Sequence, residues 1–303
     1  MTGKRYKIVG LGEILWDMLP NGKQLGGAPS NFAYISTLLG NEGIVASRIG
    51  NDVLGSEAVQ RLARLGVATD SIQADPVRPT GSVRVEVDQA GQPRFEIAEG
   101  VAWDFLEWTP AWQHLAAQSD AICFGSLAQR APASRATIRQ FLGAANKDAV
   151  VRIFDVNLRQ AFYSKEIIEQ SIKLADIVKL NHEELPRIME MFGLQHRDEI
   201  ASAGQLVKLH ALKLICVTRG CRGSLLMNHQ TLDEHPGYRI QIGDAIGAGD
   251  AFTAALVYEY LQGVPIARMN ETANRMGAWV ASQVGAMPVP GDGGIQEELS
   301  HIT

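Results

Sequence analysis

What the chain lacks narrows its class. Cysteine is scarce: Cys123, Cys216 and Cys221 form no C-x-x-C pair, and the first two stand in apolar runs. Reduced, buried thiols are therefore expected rather than a disulfide framework or a thiolate metal site. The seven histidines are scattered without an H-x-x-x-H pair, so nothing points to zinc. No apolar run reaches the roughly 18 residues of a membrane span, and Met1-Thr2-Gly3-Lys4-Arg5-Tyr6 enters a strand pattern without a signal-type apolar region. A cytoplasmic protein with no membrane partner is expected. Positive charge is also in deficit, with a net charge of −5, which argues against nucleic acid as the main partner. Two familiar phosphate loops are missing. No G-x-x-x-x-G-K-[ST] occurs, and Gly10-Leu11-Gly12 begins like a dinucleotide fingerprint but has Ile14 and Leu15 where the third glycine would fall.

What is present is an ordinary globular composition, 46% hydrophobic and 20% charged over 303 residues, enough for one large α/β core with a small extra element. The stretch from Ile242 to Leu256 organises it. Gly243, Gly247 and Gly249 bring bare backbone up to the start of an alanine-rich helix, where unpaired N–H groups and the helix dipole make a cradle for phosphate oxygens. Asp250 is the odd member. It can support the first helical turn, or it can be a general base beside the anion site, and the residues alone leave both readings open.

Other segments repeat the theme. Lys7 to Glu13 reads as a strand that Leu15 to Leu19 continues, interrupted by Asp17. Gly26-Gly27-Ala28-Pro29-Ser30-Asn31 leads into a helix, with Ser30 and Asn31 as capping residues, and Val53 to Leu65 forms a second helix closed by Gly66. Thr80 to Asp88 alternates, turns at Gln89-Ala90-Gly91-Gln92 and returns through Arg94-Phe95-Glu96-Ile97, a hairpin with Val83, Val85 and Val87 on one face. From Asp120 the rhythm is strand, helix, strand, which calls for a parallel sheet covered on both faces, with ligands outside its carboxyl ends at Asp155, Asn157, Arg159, Asn181 and Thr218. Asn181 with Glu184 has capping-box spacing, although Pro186 disturbs it; a helix starting near Leu185 would leave the polar cluster facing a site.

The two glycine loops, in this order and with these landmarks between them, resemble the ribokinase-like (PfkB) sugar kinases, bacterial fructokinases most of all. The early loop looks like the family's first signature and Asp244-Ala245-Ile246-Gly247-Ala248-Gly249-Asp250 like its second. The resemblance implies a three-layer α/β/α fold over residues 1–303 with a mostly parallel central sheet, plus a small β lid from about 14–25 and 79–104. It implies transfer of the ATP γ-phosphoryl group to a sugar hydroxyl, with Asp250 as base, the backbone of Gly247, Ala248 and Gly249 as anion hole, and Arg159 over the sugar or the phosphoryl path. Asp17, Gly26, Gly27 and Asn31 would hold the sugar, and Thr218, Gly220, Gly223 and Asn274 the nucleotide. Asn181 and Glu184 would serve Mg²⁺ indirectly, and the Asp244 loop a monovalent cation such as K⁺. A homodimer through the lid is implied. Gly12-Glu13-Ile14-Leu15-Trp16-Asp17 and Asp155-x-Asn-x-Arg159 look more like fructokinases and 2-keto-3-deoxygluconate kinases than ribokinases, and Gln92-Pro93-Arg94-Phe95-Glu96-Ile97 with Val101-Ala102-Trp103-Asp104 resembles the lid of bacterial fructokinases. Fructose is therefore the expected sugar, with 2-keto-3-deoxygluconate or ribose as alternatives and a non-catalytic sugar- or nucleotide-binding regulator as the alternative of another class.

Overall fold

The computed structural model describes residues 4–19, 22–87 and 93–303, with the side chains of 85–87 and 93–95 outside the description. The turn expected at 89–92, the Val85 and Val87 part of the hairpin face and the Arg94-Phe95 pair fall outside what is described.

Thirteen strands among the described residues form two sheets. They are Lys7–Leu11 (β1), Leu15–Leu19 (β2), Gly22–Gly26 (β3), Glu42–Gly50 (β4), Ile72–Asp75 (β5), Gly81–Val87 (β6), Pro93–Ile97 (β7), Ala121–Gly125 (β8), Val151–Asp155 (β9), Ile177–Asn181 (β10), Leu214–Thr218 (β11), Ser224–Met227 (β12) and Leu232–His235 (β13). The large sheet has the order β13-β12-β11-β10-β9-β8-β1-β4-β5. It is parallel from β5 to β11 and closes with two antiparallel strands. Its inner strands β1, β8 and β11 read as near-continuous apolar runs because helices cover both faces. The helices are Ala28–Leu38 (α1), Val53–Arg64 (α2), Pro110–Gln118 (α3), Pro132–Ala144 (α4), Lys165–Leu174 (α5), Glu184–Met191 (α6), Glu199–His210 (α7), Ala248–Leu261 (α8), Ile266–Ser282 (α9) and Gly294–Ser300 (α10).

Two apolar clusters record the layers. One gathers Phe124, Phe141, Phe154 and Leu206 on one face; the other gathers Phe32, Ile35, Leu256 and Trp279, from α1, α8 and α9, on the opposite face. The α/β/α expectation is met. Helix α8 has no polar face at all, its residues 251–257 being buried, which is why its sequence is alanine-rich and unpatterned.

One expectation is corrected here. Leu15 to Leu19 does not prolong β1. The chain leaves the large sheet at Leu11, and β2 joins a separate four-stranded sheet, β3-β2-β6-β7. In it β2 lies antiparallel to β3 and parallel to β6, so the hairpin β6–β7 rests on a second hairpin and does not stand alone in water.

The order of the large sheet reverses at β1, which pairs with β4 on one side and β8 on the other. Such a switch point opens a crevice at the carboxyl ends of the strands. Both glycine turns lead into helices there.

Candidate active site

The crevice is built from α1 and α8. Gly27 is the N-cap residue of α1 with φ 103°, and a Cβ on it would come within 2.5 Å of the Glu13 carbonyl oxygen. Only glycine fits. Gly26, the last residue of β3, is bare for a different reason: a Cβ there would press to 2.7 Å on Oδ2 of Asp17. The sequence therefore places Asp17 in the middle of β2, opposite Gln24, with its carboxylate over the Gly26-Gly27 backbone. It is half-buried, and burial raises its pKa, with Asp244 adding to the rise and the Arg159 charge opposing it.

Ser30 and Asn31, expected as caps, are instead buried inside the first turns of α1, whose N-cap has no side-chain bond. The reason is Pro29, which fits the first turn and so starts the helix two residues earlier. Asn31 is thereby free for long-range work. Its Nδ2 donates to Oδ2 of Asp250 at 2.7 Å, and its buried Oδ1 has no partner within the protein.

Asp250 lies in the first turn of α8. Gly247, its N-cap residue, has φ 79° and sits against Ala286, 2.5 Å from where a Cβ would stand. Gly247, Ala248, Gly249 and Asp250 are half-buried, and the first-turn N–H groups of Gly249 and Asp250 have no intrahelical acceptor. Burial pushes the Asp250 carboxyl up to about 6, and Asp155 adds to the rise. The Asn31 hydrogen bond, Lys179 and Arg159 pull the other way. A carboxylate so placed is ionised at neutral pH, yet more basic than an exposed one, which suits it to take a proton from an alcohol.

Beneath the loop lies a buried pair that the sequence reading did not single out. Lys179 Nζ donates to both oxygens of Asp155 at 3.1 Å, and Thr253 Oγ1 joins Oδ2 of Asp155 at 3.1 Å and the Gly249 carbonyl at 2.9 Å. A Cβ on Gly249 would come within 3.1 Å of the ammonium. Burial disfavours the charged amine, but Asp155, Glu184 and Asp250 outweigh it and raise the Lys179 pKa. The signal was there: a lysine between Val178 and Leu180 inside an apolar strand is seldom buried without a partner. Glu13 was missed for the same reason. It is 3% exposed, burial pushes its carboxyl up to about 7 with Asp250 adding to the rise, and its Oε2 has no hydrogen-bond partner.

Arg159 is exposed on the loop after β9, and its charge acts on Glu13, Asp17 and Asp250 alike. These residues come together. The expected nucleotide residues lie at the next strands: Thr218 ends β11, and Gly220 and Gly223 bound a short turn after it with φ 61° and 79°. Gly223 also has a packing reason, since a Cβ would overlap the His235 carbonyl of β13. Asn274 on α9 is buried and donates from Nδ2 to Ser224 Oγ at 2.7 Å and to Asn270 O at 2.8 Å, so its amide nitrogen ties α9 to β12.

Asn181 and Glu184 form the capping box in full. Asn181 Oδ1 accepts the N–H groups of Glu183 and Glu184 at 2.9 Å, and Glu184 Oε2 accepts that of Asn181 at 2.8 Å. Helix α6 does start at Glu184, but the cluster is not left free. Pro186 causes no conflict because it falls in the first turn, where no intrahelical N–H bond is due. Both Glu184 oxygens hold backbone N–H groups, with Leu158 N on Oε1 at 2.8 Å. Lone pairs remain for water but no whole carboxylate remains for a metal, so the donor set fits a water-mediated Mg²⁺ role only. Asp244 accepts from Ile246 N at 3.0 Å and Gly285 N at 3.3 Å, which closes its loop onto the tail.

A concavity of about 500 Å³ away from this crevice is walled by other residues, among them Asp104, Arg130, Arg135 and Tyr163. Its Arg130 is already matched by Asp104 at 2.8 Å, so size alone does not mark the site. Among the described residues no helix is long and apolar enough to cross a membrane.

The pfkB family carbohydrate kinase model matches residues 20–291. A fructokinase of Escherichia coli is 29% identical, over 93% of this chain and 95% of its own. Among solved structures, an uncharacterized sugar kinase from Pyrococcus horikoshii in complex with ATP superposes with a TM-score of 0.81 at 28% identity, covering 98% of this chain and 100% of that one. A fructokinase from Vibrio cholerae in its fructose, ADP and calcium ion bound form gives 0.79 at 26% identity, covering 92% and 94%.

Proposed function

The chain belongs to the pfkB family of carbohydrate kinases, and from that premise we propose that it transfers the γ-phosphoryl group of ATP to a hydroxyl of fructose, with Asp250 as the general base. The observation that carries this is the Asn31–Asp250 contact of 2.7 Å across the switch point, which holds an ionised, raised-pKa carboxylate at the N-terminus of α8. Fructose is favoured because relatives along nearly the whole chain are fructokinases.

In this reading Asp17 and the Gly26-Gly27-Asn31 turn accept and donate hydrogen bonds to the sugar hydroxyls, and the unpaired Asn31 Oδ1 is available to one of them. Asp250 takes the proton of the acceptor hydroxyl as its oxygen bonds to the γ-phosphorus. The bond to the oxygen bridging to the β-phosphate breaks, ADP leaves with the electron pair, and the proton stays on Asp250 until solvent removes it. Charge on the transferring group meets the N–H groups of Gly247 to Gly249 and the positive end of α8. Arg159 adds a cation from the opposite side. Thr218, Gly220 and Gly223 border the nucleotide, with Asn274 behind them. Asn181 and Glu184 would hold Mg²⁺ through water, and the ion would supply charge neutralisation to the phosphate oxygens; the Asp244 loop would hold K⁺. The β2-β3-β6-β7 sheet serves as the lid and as the contact of a homodimer, and the protein works in the cytoplasm.

The test is ADP formation over fructose, ribose, 2-keto-3-deoxygluconate, fructose 6-phosphate and nucleosides. The highest kcat/KM with fructose is expected. Preference for 2-keto-3-deoxygluconate or ribose would replace the substrate and keep the mechanism, whereas binding of sugar or ATP without turnover would make the protein a regulator.

A further inference from the structure

The loop that presents Arg159 is held in an unfavourable shape. Asn157 and Gln160, which bracket it, have φ 41° and 48°, left-handed backbone that residues with a Cβ adopt at a cost in free energy. Such a shape persists only where neighbours fix it. Val156 N donates to Lys179 O at 2.9 Å, Phe162 N to Arg159 O at 3.0 Å, and Ser126 Oγ to Asn157 O at 3.3 Å. At the centre, Leu158 N donates to Oε1 of Glu184 at 2.8 Å. Of these acceptors only Glu184 is a carboxylate, and a charged acceptor makes the stronger bond. The side chain is 6% exposed.

Capping α6 does not account for this. The reciprocal box with Asn181 uses Oε2 alone. The second oxygen reaches a backbone amide 26 residues back in the chain, on another loop, and next to the exposed Arg159. A short cap would be met as well by Gln, Ser or Asp. Two oxygens set at right places on two loops require a carboxylate of this length.

We propose that Glu184 is a positioning residue for Arg159: its carboxylate clamps the β10–α6 turn to the Asn157–Gln160 loop and so sets where the guanidinium stands over the acceptor sugar. This rests on the sugar-kinase reading for its effect on catalysis, but the clamp itself does not.

Two measurements separate the two. Amide hydrogen exchange without any ligand, on the whole protein, should show Leu158 and its neighbours at 156–160 exchanging at least about tenfold faster in Glu184→Ala than in wild type, with Glu184→Gln, which keeps one acceptor oxygen, in between. Unchanged exchange at Leu158 would overturn the clamp. The second is a double-mutant cycle with Arg159→Ala, read as KM for fructose at saturating ATP and as the Mg²⁺ concentration for half activation. Glu184→Ala should raise KM by about tenfold in wild type but by less than about twofold where Arg159 is already gone, whatever it does to the Mg²⁺ requirement through the water-mediated contact. Additive losses, or a higher Mg²⁺ requirement with KM unchanged, would overturn the positioning role and leave a metal role. Should Glu184→Ala fail to fold by circular dichroism, Glu184→Gln takes its place in the cycle. A wild type that phosphorylates no sugar would sink the proposed function, while the exchange measurement would still decide the clamp.

Discussion

The two glycine turns look alike in the sequence and differ in what their helices do with the N-terminal N–H groups. At α1 the end is closed from within: Pro29 removes one donor, the buried Glu13 carboxyl lies beside the Ala28 backbone, and residues 29–36 are buried. At α8, among the described residues, no carboxylate accepts a hydrogen bond from the N–H groups of Gly249 and Asp250, and residues 247–250 are half-buried. One turn is therefore a packed corner that aims Asn31 and the Gly26-Gly27 backbone, and the other is an open positive end beside a raised-pKa carboxylate. A glycine turn before a helix makes an anion site only where nothing in the protein has already filled it.

Breaking the α8 side should cost most. Asp250→Asn is expected to lower kcat by on the order of 10²–10⁴ while the fold and ATP binding survive, measured by steady-state kinetics and calorimetry. The substitution also tests the charge. A carboxyl raised from 3.8 to about 6 takes up a proton on folding between those pH values, so its contribution to stability falls as pH rises through that window. Asp250→Asn should therefore be at least as resistant to urea as wild type at pH 8.

Breaking the α1 side should act on the sugar. Asp17→Ala, which empties the space over Gly26, is expected to raise the sugar KM by about 10- to 100-fold with little change in the KM for ATP, since it removes hydrogen bonds to a charged acceptor. Equal weakening of both ligands would show that the small sheet had lost its shape instead.

Gly27→Ala and Gly247→Ala sharpen the comparison. Each forces a Cβ into positive φ and against neighbouring atoms, so each should lose on the order of 1–3 kcal/mol by urea unfolding. Their kinetic signatures should diverge, with the sugar KM moving in the first and kcat in the second. The smallest effect links the two turns. The wild-type kcat/KM should fall by about tenfold per pH unit below the Asp250 value of about 6. Asn31→Ala removes a hydrogen bond that favours the ionised form, so this acid limb should move upward by on the order of one pH unit. A limb that stays in place would mean that Asn31 serves the sugar alone.

Much of the site was legible in residues. Asp250 stood out because a carboxylate is misplaced in a simple anion loop, and the paired glycines at 26 and 27 announced a close backbone approach. The capping box at Asn181 was legible too, yet its second bond to Leu158 was not, because no spacing rule links side chains 26 residues apart. Lys179 and Glu13 escaped notice as single charges in apolar stretches, one inside β10 and the other in the loop after β1; their meaning lies in groups on other elements, Asp155 on β9 for the first and Asp250 on α8 for the second. Ser30 and Asn31 have cap chemistry, and the helix simply began earlier, at a proline.

The sequence by itself determined the alternation of strands and helices, the two glycine turns and the placing of a carboxylate, Asp250, beside the second of them, since these follow from local periodicity, backbone freedom and the chemistry of single residues. Only the tertiary structure decided that β2 would pair with β3 on one side and β6 on the other, that Asn31 would meet Asp250 across 219 residues, and that Lys179 and Asp155 would lie beneath Gly249. Register between distant strands and the desolvation of their side chains are properties of the packed core, and it is that desolvation, with Asp155 close by, that raises the Asp250 carboxyl to about 6.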